Sequence, residues 1–296
     1  MKLINPLERR LSWNMKYKDL TIATTVNQLK VRKHIKGSFI KRKWKQTSIS
    51  TFLGGGVLFV FLLSWELLSL SGAVNPQFTS SPSRIIKKGI ELIASGELQT
   101  HALASSQIFI IGYLLAVIVG VPIGILLGWY KRLNQAFGPI IASLYTTPRL
   151  ALMPLFIIWL GLGSTSKIAL VFLSAVFPII INLVMGMRSI DGNLVKVAKS
   201  YNANQWQIFR TIAMPMSVPF LITALQLATG RALLGVVGAE IFGSQAGLGY
   251  MIMYAGATFQ TDKVFVGVVI IATIGIAMDR FLFYLSKRFD EWRGNN

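Results

Sequence analysis

Residues 108–129 read IFIIGYLLAVIVGVPIGILLGW, a run of 22 residues without one charged side chain. An α-helix rises ~1.5 Å per residue, so about 20 apolar residues cross the ~30 Å hydrocarbon core of a bilayer. Outward from this stretch, further apolar blocks of similar length lie at Phe52–Leu70, Pro139–Leu160, Ile168–Met187, Ser217–Ala239 and Val264–Leu285. The third block is split at Thr147-Pro148-Arg149 and again at Pro154. The pattern predicts an all-α, polytopic membrane protein with about six transmembrane helices.

The composition agrees with a membrane protein and excludes several kinds of function. Of the 296 residues, 53% are hydrophobic and only 14% are charged, whereas about one quarter of a soluble domain is charged. The chain has no cysteine and two histidines, His34 and His101. Disulfide scaffolds, thiolate metal sites and cysteine nucleophiles are therefore excluded, and we predict no metal site.

The net charge of +19 is concentrated at the beginning of the chain, where residues 1–50 hold 13 of the 30 Lys and Arg. We predict that residues 1–50 form a basic cytoplasmic arm held near anionic lipid. An organellar targeting peptide is the alternative, because the arm is poor in acids. The charge lies beside a membrane anchor, so lipid and not nucleic acid is the expected partner. Residues 51–296 are predicted to form the transmembrane domain.

The basic residues of the loops predict the orientation. With the N-terminus in the cytoplasm, 23 Lys and Arg face inward and 5 face outward. Cytoplasmic loops of membrane proteins carry the excess of Lys and Arg. Both termini are therefore predicted to be cytoplasmic.

The loop at residues 188–216, between the fourth and fifth spans, combines basic charge with an apolar stripe. The apolar residues recur with the 3.6-residue period of a helix and are Leu194, Val197, Ala198, Tyr201, Trp206, Phe209 and Ala213. The basic residues Lys196, Lys199 and Arg210 keep the segment out of the bilayer. We therefore predict a short helix that lies on the membrane or docks into a groove of another protein, with Pro215 closing the segment.

The same loop resembles the EAA-x3-G-x9-I-x-L-P loop of permease subunits in ATP-binding-cassette importers. The spacing matches throughout, and Ala198, Ile212 and Pro215 match in identity. Lys196 stands in place of Glu, Val197 of Ala, Asn202 of Gly and Met214 of Leu. Because Asn tolerates the left-handed conformation that Gly supplies, we expect the turn at Asn202 to be preserved. The resemblance implies an ATPase-coupling loop that includes Lys196, Val197, Ala198, Asn202, Trp206, Phe209, Ile212 and Pro215.

Further strings narrow the resemblance to the nitrate, taurine, aliphatic-sulfonate and bicarbonate permeases. They are TPRLALMPL at 147–155, WLGLG at 159–163, FPI at 177–179, RSID at 188–191, and Ala239-Glu240 followed by GLGY at 247–250. Together they cover about residues 55–290. The resemblance implies a permease that moves a small anion inward by alternating access in the bacterial inner membrane. It also implies cytoplasmic ATPase subunits, an external solute-binding protein and a second permease copy. ATP would be bound by the partner subunit, so this chain is expected to need no cofactor and to have no enzymatic activity.

Charges inside the spans are the candidates for the solute pathway. A charge at mid-bilayer costs roughly 2.5–3.5 kcal/mol, so such groups face protein or a wet path. Arg149 and Arg231 lie nearest the predicted span centres and Glu240 near the outer end of the fifth span. A guanidinium keeps its positive charge, which suits a small anion. The alternative for each arginine is a pair with a neighbouring helix.

Three other functions stay open on the sequence alone. A permease of the same family could carry a cationic or neutral solute such as a pyrimidine precursor. An intramembrane enzyme would need a nucleophile with a base or a metal cluster, and no His or Cys lies in the predicted spans. A secondary transporter should show internal repeats and paired acids at mid-membrane, and neither is evident.

Overall fold

The computed structural model describes residues 53–72, 75 and 78–287. The chain divides into two compact units, residues 1–67 and 68–296. In the first unit the described residues belong to helix α1, Leu53–Leu70, in which the rings of Phe61 and Trp65 lie 6.2 Å apart. The predicted basic arm at residues 1–50 lies outside the described residues.

The described part of the second unit is entirely helical. Its elements are α2 (Pro82–Ala94), α3 (Glu97–Trp129), α4 (Lys131–Thr146), a 3-10 turn (Arg149–Leu152), α5 (Met153–Leu160), α6 (Ser164–Arg188), α7 (Gly192–Ser200), α8 (Gln205–Ile208), a π-helical turn (Phe209–Ala213), α9 (Met214–Ile241), α10 (Leu248–Ala257) and α11 (Thr261–Lys287). The expected all-α class is confirmed.

Within the described residues, five helices are long and apolar enough to cross a membrane, and a bent helix pair can supply a sixth span. The helix of the second span begins at Glu97, well before the apolar run starts at Ile108. The polar residues 97–107 contain no helix breaker, so the helix continues past the part that hydropathy marks.

The bent pair is the third predicted span. Its halves, Lys131–Thr146 and Arg149–Leu160, meet at an angle of 86°. The predicted break at Thr147-Pro148 is confirmed, because the residue before a proline is driven into extended backbone and Thr147 has φ −64° and ψ 132°. The second predicted break, at Pro154, is wrong. Pro154 lies in the first turn of α5, where the missing N–H breaks no hydrogen bond.

Helices α3, α6 and α9 pack together and form the core. Three glycines of α3, one every fourth residue, face α6: Gly120, Gly124 and Gly128. A Cβ on Gly124 would lie 2.8 Å from the Cβ of Leu183, too close for any side chain. The prediction that these glycines serve close helix packing is confirmed, and it fits helix association in lipid, where small residues let backbones approach.

Helix α10 was not predicted, because residues 240–263 read as an outer loop. The helix is only 10 residues long, which is too short for a span. It packs against α9 through Gly249, where a Cβ would lie 2.6 Å from the Val237 carbonyl oxygen. The start of α10 carries the polar network described below.

Candidate functional site

The loop between α6 and α9 begins with helix α7, which the sequence pattern predicted. The Asp191 side chain accepts a hydrogen bond of 2.8 Å from the backbone N–H of Asn193 and caps the helix. At the other end Asn202 has φ 58°, and the N–H groups of Asn202 and Ala203 donate to the Lys199 and Ala198 carbonyls. This is the Schellman arrangement. The expectation that Asn202 takes the left-handed conformation is confirmed.

Helix α8 begins with a reciprocal cap that the sequence analysis missed. The Asn204 side chain accepts from the Gln207 N–H, and the Gln207 side chain accepts from the Asn204 N–H, both at 2.8 Å. The sequence signal was an Asn followed three residues later by a Gln, the spacing of a capping box. The two caps fix α7 and α8 as a helix–turn–helix.

Most of the predicted apolar stripe is exposed. The exposed fractions are 45% for Leu194, 56% for Val197, 84% for Tyr201 and 65% for Trp206. Lys196 is exposed as well, and Ala198 is half-buried. An apolar stripe uncovered within its own chain is the pattern of a surface that another protein covers.

Phe209 differs from the other aromatic residues of the stripe. Its ring lies 5.1 Å from Trp129 at the end of α3 and 5.4 Å from Trp206. Ile208 and Ala213 beside it are buried, and Ile212 is half-buried. Phe209 therefore attaches α8 to α3 within the chain.

Pro215 does not close the segment, contrary to the prediction. A helix runs without a gap from Gln205 to Ile241 and contains a π-helical turn at Phe209–Ala213, where the Met214 N–H donates to the Phe209 carbonyl. Proline breaks a regular helix because its ring meets the carbonyl four residues earlier. The wider turn just before Pro215 relieves that clash. The exposed loop and the fifth span are thus one element.

Arg188, the last residue of α6, connects the same loop to α4. With the Asn134 amide oriented so that its oxygen faces Arg188, that oxygen accepts hydrogen bonds from two guanidinium nitrogens of Arg188, at 3.0 and 2.7 Å. The loop is therefore attached to the rest of the unit at both ends.

Arg149 lies at the break between α4 and α5. Its Nη2 donates to the Tyr145 carbonyl at 2.7 Å, and its guanidinium carbon lies 5.1 and 5.6 Å from the centres of the Tyr145 and Phe177 rings. Its Nε is buried and has no hydrogen-bond partner among the described residues. The guanidinium is thus held against Tyr145 and Phe177, with one buried donor unsatisfied.

Arg231 lies on α9, ten residues before its end at Ile241. It is exposed between Leu227 and Leu234, which are 51% and 63% exposed. In the described part of the chain, no carboxylate forms an ion pair with either arginine. The structure therefore leaves both predicted pathway arginines without a carboxylate partner in the described ranges.

Glu240, the third predicted pathway residue, is nine residues or about 13.5 Å along α9 from Arg231. It is completely buried. Its two oxygens accept hydrogen bonds of 2.7 Å from the Ser105 hydroxyl and the Gly249 N–H. The Ser105 oxygen in turn accepts from the Leu248 N–H at 2.7 Å. The carboxylate thus ties the start of α10 to α3 and α9.

Polar contacts around Glu240 extend to other helices. The Gly247 N–H donates to His101 Nδ1 at 3.1 Å, and Lys167 Nζ donates to the Ser244 hydroxyl at 2.9 Å. Lys263, at the start of α11, forms an ion pair with Glu97 of α3. Sequence reasoning missed these pairs, because their members are far apart in the chain.

No three His, Cys, Asp or Glu side chains within 53–72, 75 and 78–287 are placed as ligands of one metal ion.

Comparison with known proteins adds the family. Residues 120–291 match the family described as "Binding-protein-dependent transport system inner membrane component". The chain belongs to this family. The matched residues include the whole loop between α6 and α9 and all three predicted pathway residues. The resemblance to permease subunits of ATP-binding-cassette importers is therefore confirmed.

Several named transport permeases are similar to this chain over most of their length. The chain is 37% identical to the protein named for aliphatic sulfonates transport in Bacillus subtilis, covering 80% of this chain and 86% of the relative. It is 30% identical to the taurine transport system permease of Escherichia coli, with coverages of 85% and 94%. A formylaminopyrimidine transport permease of Halalkalibacterium halodurans is 29% identical, with coverages of 73% and 86%.

A solved structure shares the fold of this permease. A chain of the inward-facing MetNI methionine ABC transporter matches with a TM-score of 0.53 and 18% identity, covering 66% of this chain and 98% of that one.

Proposed function

We propose that this chain is the membrane-spanning subunit of an ATP-binding-cassette importer that moves a small anion inward by alternating access. The solute class would be sulfonate or taurine, nitrate or bicarbonate. The proposal rests on Arg149 and Arg231, two fixed positive charges inside the spans. Neither of them forms an ion pair with a carboxylate of the described residues. The names of the sulfonate and taurine relatives support the same solute class.

The arginine pair has the chemistry of an anion path. A guanidinium cannot lose its proton at neutral pH and donates several hydrogen bonds in a plane. The half-buried Arg149 and the exposed Arg231 can donate to oxygen atoms of a sulfonate, nitrate or bicarbonate. The like charge of Arg231 raises the attraction for an anion between them. Because only a few donors converge here, the anion can also leave, as conduction requires.

The exposure of Arg231 supports a second permease copy. The residue lies on an apolar face of α9 that is open in the single chain. Contact with lipid there would cost roughly 2.5–3.5 kcal/mol. A second copy, with a water-filled path between the two, would remove that contact. An identical copy is the simplest partner, because most oligomers are symmetric homo-oligomers.

The loop between α6 and α9 is proposed to dock onto cytoplasmic ATPase subunits. The exposed stripe supplies the apolar contacts, and the unbroken helix from Gln205 to Ile241 transmits a push on Trp206 to the span that carries Arg231. Lys196, where the family motif has Glu, places a positive charge in this interface and favours an acidic partner surface. ATP binding and hydrolysis would then belong to the partner, and no catalytic role is proposed for this chain.

The remaining assignments follow from the charge distribution. We place both termini and the basic arm at residues 1–50 in the cytoplasm, and an external solute-binding protein on the opposite side, at the cell membrane of a prokaryote. The excess of Lys and Arg on one set of loops supports this orientation.

The test replaces Arg231 by Lys and by Gln in the assembled transporter, reconstituted in vesicles with its ATPase and binding protein. Uptake of taurine, an alkyl sulfonate, nitrate and bicarbonate is measured for each. We expect partial uptake of one anion with Lys and severe loss with Gln, while assembly stays intact. Arg280→Gln, an exposed arginine near the end of α11, is the matched control and should transport normally. Normal uptake by an assembled Arg231→Gln protein contradicts the anion path.

A permease for a cationic or neutral pyrimidine precursor is the second candidate. The similarity to the formylaminopyrimidine transport permease favours it. Competition decides between the two candidates. Uptake of labelled formylaminopyrimidine is measured. If an excess of the unlabelled compound abolishes this uptake and none of the four anions affects it, the alternative is established.

A further inference from the structure

A groove of about 320 Å³ lies between the end of α3 and the beginning of α8. We call it the α3–α8 groove. Its lining is mostly apolar and aromatic and consists of Ile125, Leu126, Trp129, Tyr130, Gln205, Trp206 and Phe209. The Phe209 ring lies between those of Trp129 and Trp206. Leu126, Tyr130 and Trp206 are 48%, 53% and 65% exposed, so the groove is open along one side.

The groove crosses the boundary between hydrocarbon and water. Ile125 and Leu126 belong to the uncharged run 108–129, which is long enough to lie in the hydrocarbon core. Trp129 is the last residue of that run and Tyr130 follows it. Tryptophan and tyrosine at the ends of spans lie at the level of the lipid headgroups. At the other end of the groove Gln205, a polar residue, begins α8 in the loop before the fifth span. A soluble protein cannot reach a residue at hydrocarbon depth, whereas a phospholipid occupies both zones.

The charges beside the groove select the headgroup. Lys131 and Arg132 directly follow Tyr130, and Arg210 directly follows Phe209; all three are exposed. Asp191 is the only acidic residue in the ranges 131–132 and 188–210. Basic residues at a membrane surface attract anionic lipid headgroups. A zwitterionic headgroup would gain much less from the same residues.

We propose that the α3–α8 groove is a binding site for an anionic phospholipid. One acyl chain would lie along Ile125 and Leu126, and the phosphate would bind Lys131 and Arg132. The lipid would then touch α3 and α8 at once and brace the loop where Phe209 attaches it. The site is independent of the transported solute, and its test contains no transport measurement.

The probe is phosphatidylglycerol or phosphatidylcholine with brominated acyl chains, which quench tryptophan fluorescence on contact. The full chain is reconstituted with Trp129 and Trp206 kept and the other five tryptophans replaced by Phe: Trp13, Trp44, Trp65, Trp159 and Trp292. We expect saturable quenching with a preference for phosphatidylglycerol of about fivefold or more, since each basic residue near the surface attracts anionic lipid. Native mass spectrometry of the unmodified chain with the same two lipids gives the preference without any Trp replacement.

The matched variants remove equal charge at two places. Lys131→Gln with Arg132→Gln should abolish the headgroup preference, and Lys196→Gln with Lys199→Gln on α7 should leave it unchanged. Equal quenching by both lipids in proportion to their bulk fraction, or no quenching, overturns the proposal. Trp206 also belongs to the proposed ATPase interface, so the proposal requires that both bind at once, with the lipid on the side of the Trp206 ring that faces Phe209 and Trp129. If an added ATPase subunit displaces the lipid, the groove is a protein docking site and the proposal is wrong.

Discussion

At the scale of single residues, buried polar groups hold the outer end of the helices together. Glu240 accepts one hydrogen bond from α3 and one from α10, and Ser105 extends the chain of bonds to a second N–H of α10. Inside a low-dielectric core such bonds strengthen each other, and an unpaired member is costly. Glycine is required at position 247 for the same reason, because its φ is 123° and a Cβ there would overlap the Glu240 carboxylate.

The first prediction concerns Glu240. Replacement by Ala leaves the Ser105 hydroxyl and the Gly249 N–H buried without an acceptor, and each unmet bond costs about 1–3 kcal/mol. We expect a clear fall in the thermal unfolding temperature of the purified chain in detergent. Glu240→Gln should fall less, because it keeps one acceptor. Glu91→Ala, an exposed acid of α2, is the control and should unfold like the wild type. Equal stability of the Glu240→Ala protein would show that the network contributes nothing.

The second prediction concerns Asn202 and its left-handed backbone. A side chain with a branched Cβ costs about 1–2 kcal/mol in this conformation, and Gly costs nothing. Asn202→Gly should therefore bind its ATPase subunit as the wild type does, and Asn202→Val should bind roughly 5- to 30-fold more weakly. Co-purification over a range of ATPase concentrations measures the difference. Asn193→Val, at an exposed helical position of α7, controls for branching alone. Wild-type binding by Asn202→Val would contradict a fixed turn.

At the scale of elements, the fifth span and the second half of the loop before it form one continuous helix, Gln205–Ile241. The π-helical turn at Phe209–Ala213 lets the helix pass Pro215, and the Phe209 contact with Trp129 couples this helix to the end of α3. Arg188 couples the other end of the loop to Asn134. A partner that moves α7 and α8 therefore acts on three spans.

The third prediction separates the two aromatic residues of the loop. Trp206→Ala should weaken ATPase binding by roughly 30-fold, as loss of an anchor worth about 2 kcal/mol would, and leave thermal stability unchanged because the residue is exposed. Phe209→Ala should weaken ATPase binding and, unlike Trp206→Ala, lower the unfolding temperature, because the packing of the Phe209 ring on Trp129 is lost. Trp159→Ala, another exposed tryptophan, is the control for both measurements. If Trp206→Ala binds the ATPase normally, the loop is not the docking surface.

At the scale of the whole molecule, the antiparallel spans place alternate helix ends on the same side of the membrane. The basic residues of the α3–α4 turn and of the loop before α9 mark one side, and the outer network around Glu240 marks the other. The helical core of α3, α6 and α9 connects the two sides, so the proposed docking at one side and the proposed solute entry at the other would act on the same three helices.

The fourth prediction tests the orientation of the molecule. The chain lacks cysteine, so single cysteines report without background. Cysteines at Ser83 and Gln245 should react with a membrane-impermeant thiol reagent in intact cells, and a cysteine at Ser200 only after permeabilisation. All three positions are exposed, and Ser200 leaves both helix caps of the loop intact. Labelling at Ser200 in intact cells would reverse the orientation and remove the loop from the ATPase side.

The sequence by itself determined the features that depend on local physics. The helical class and the span count follow from runs of apolar residues matched to bilayer thickness, and the break at Thr147-Pro148 follows from proline sterics. The left-handed turn at Asn202 follows from the backbone preference of one residue type. The tertiary structure alone decided which distant residues meet. The bent segment that carries Arg149 packs on α9, the helix of Arg231, through Leu150 and Gly238. Glu240 meets Ser105 because α3 packs against α9. Such pairings depend on the packing of whole helices, and no short-range pattern in the chain encodes them.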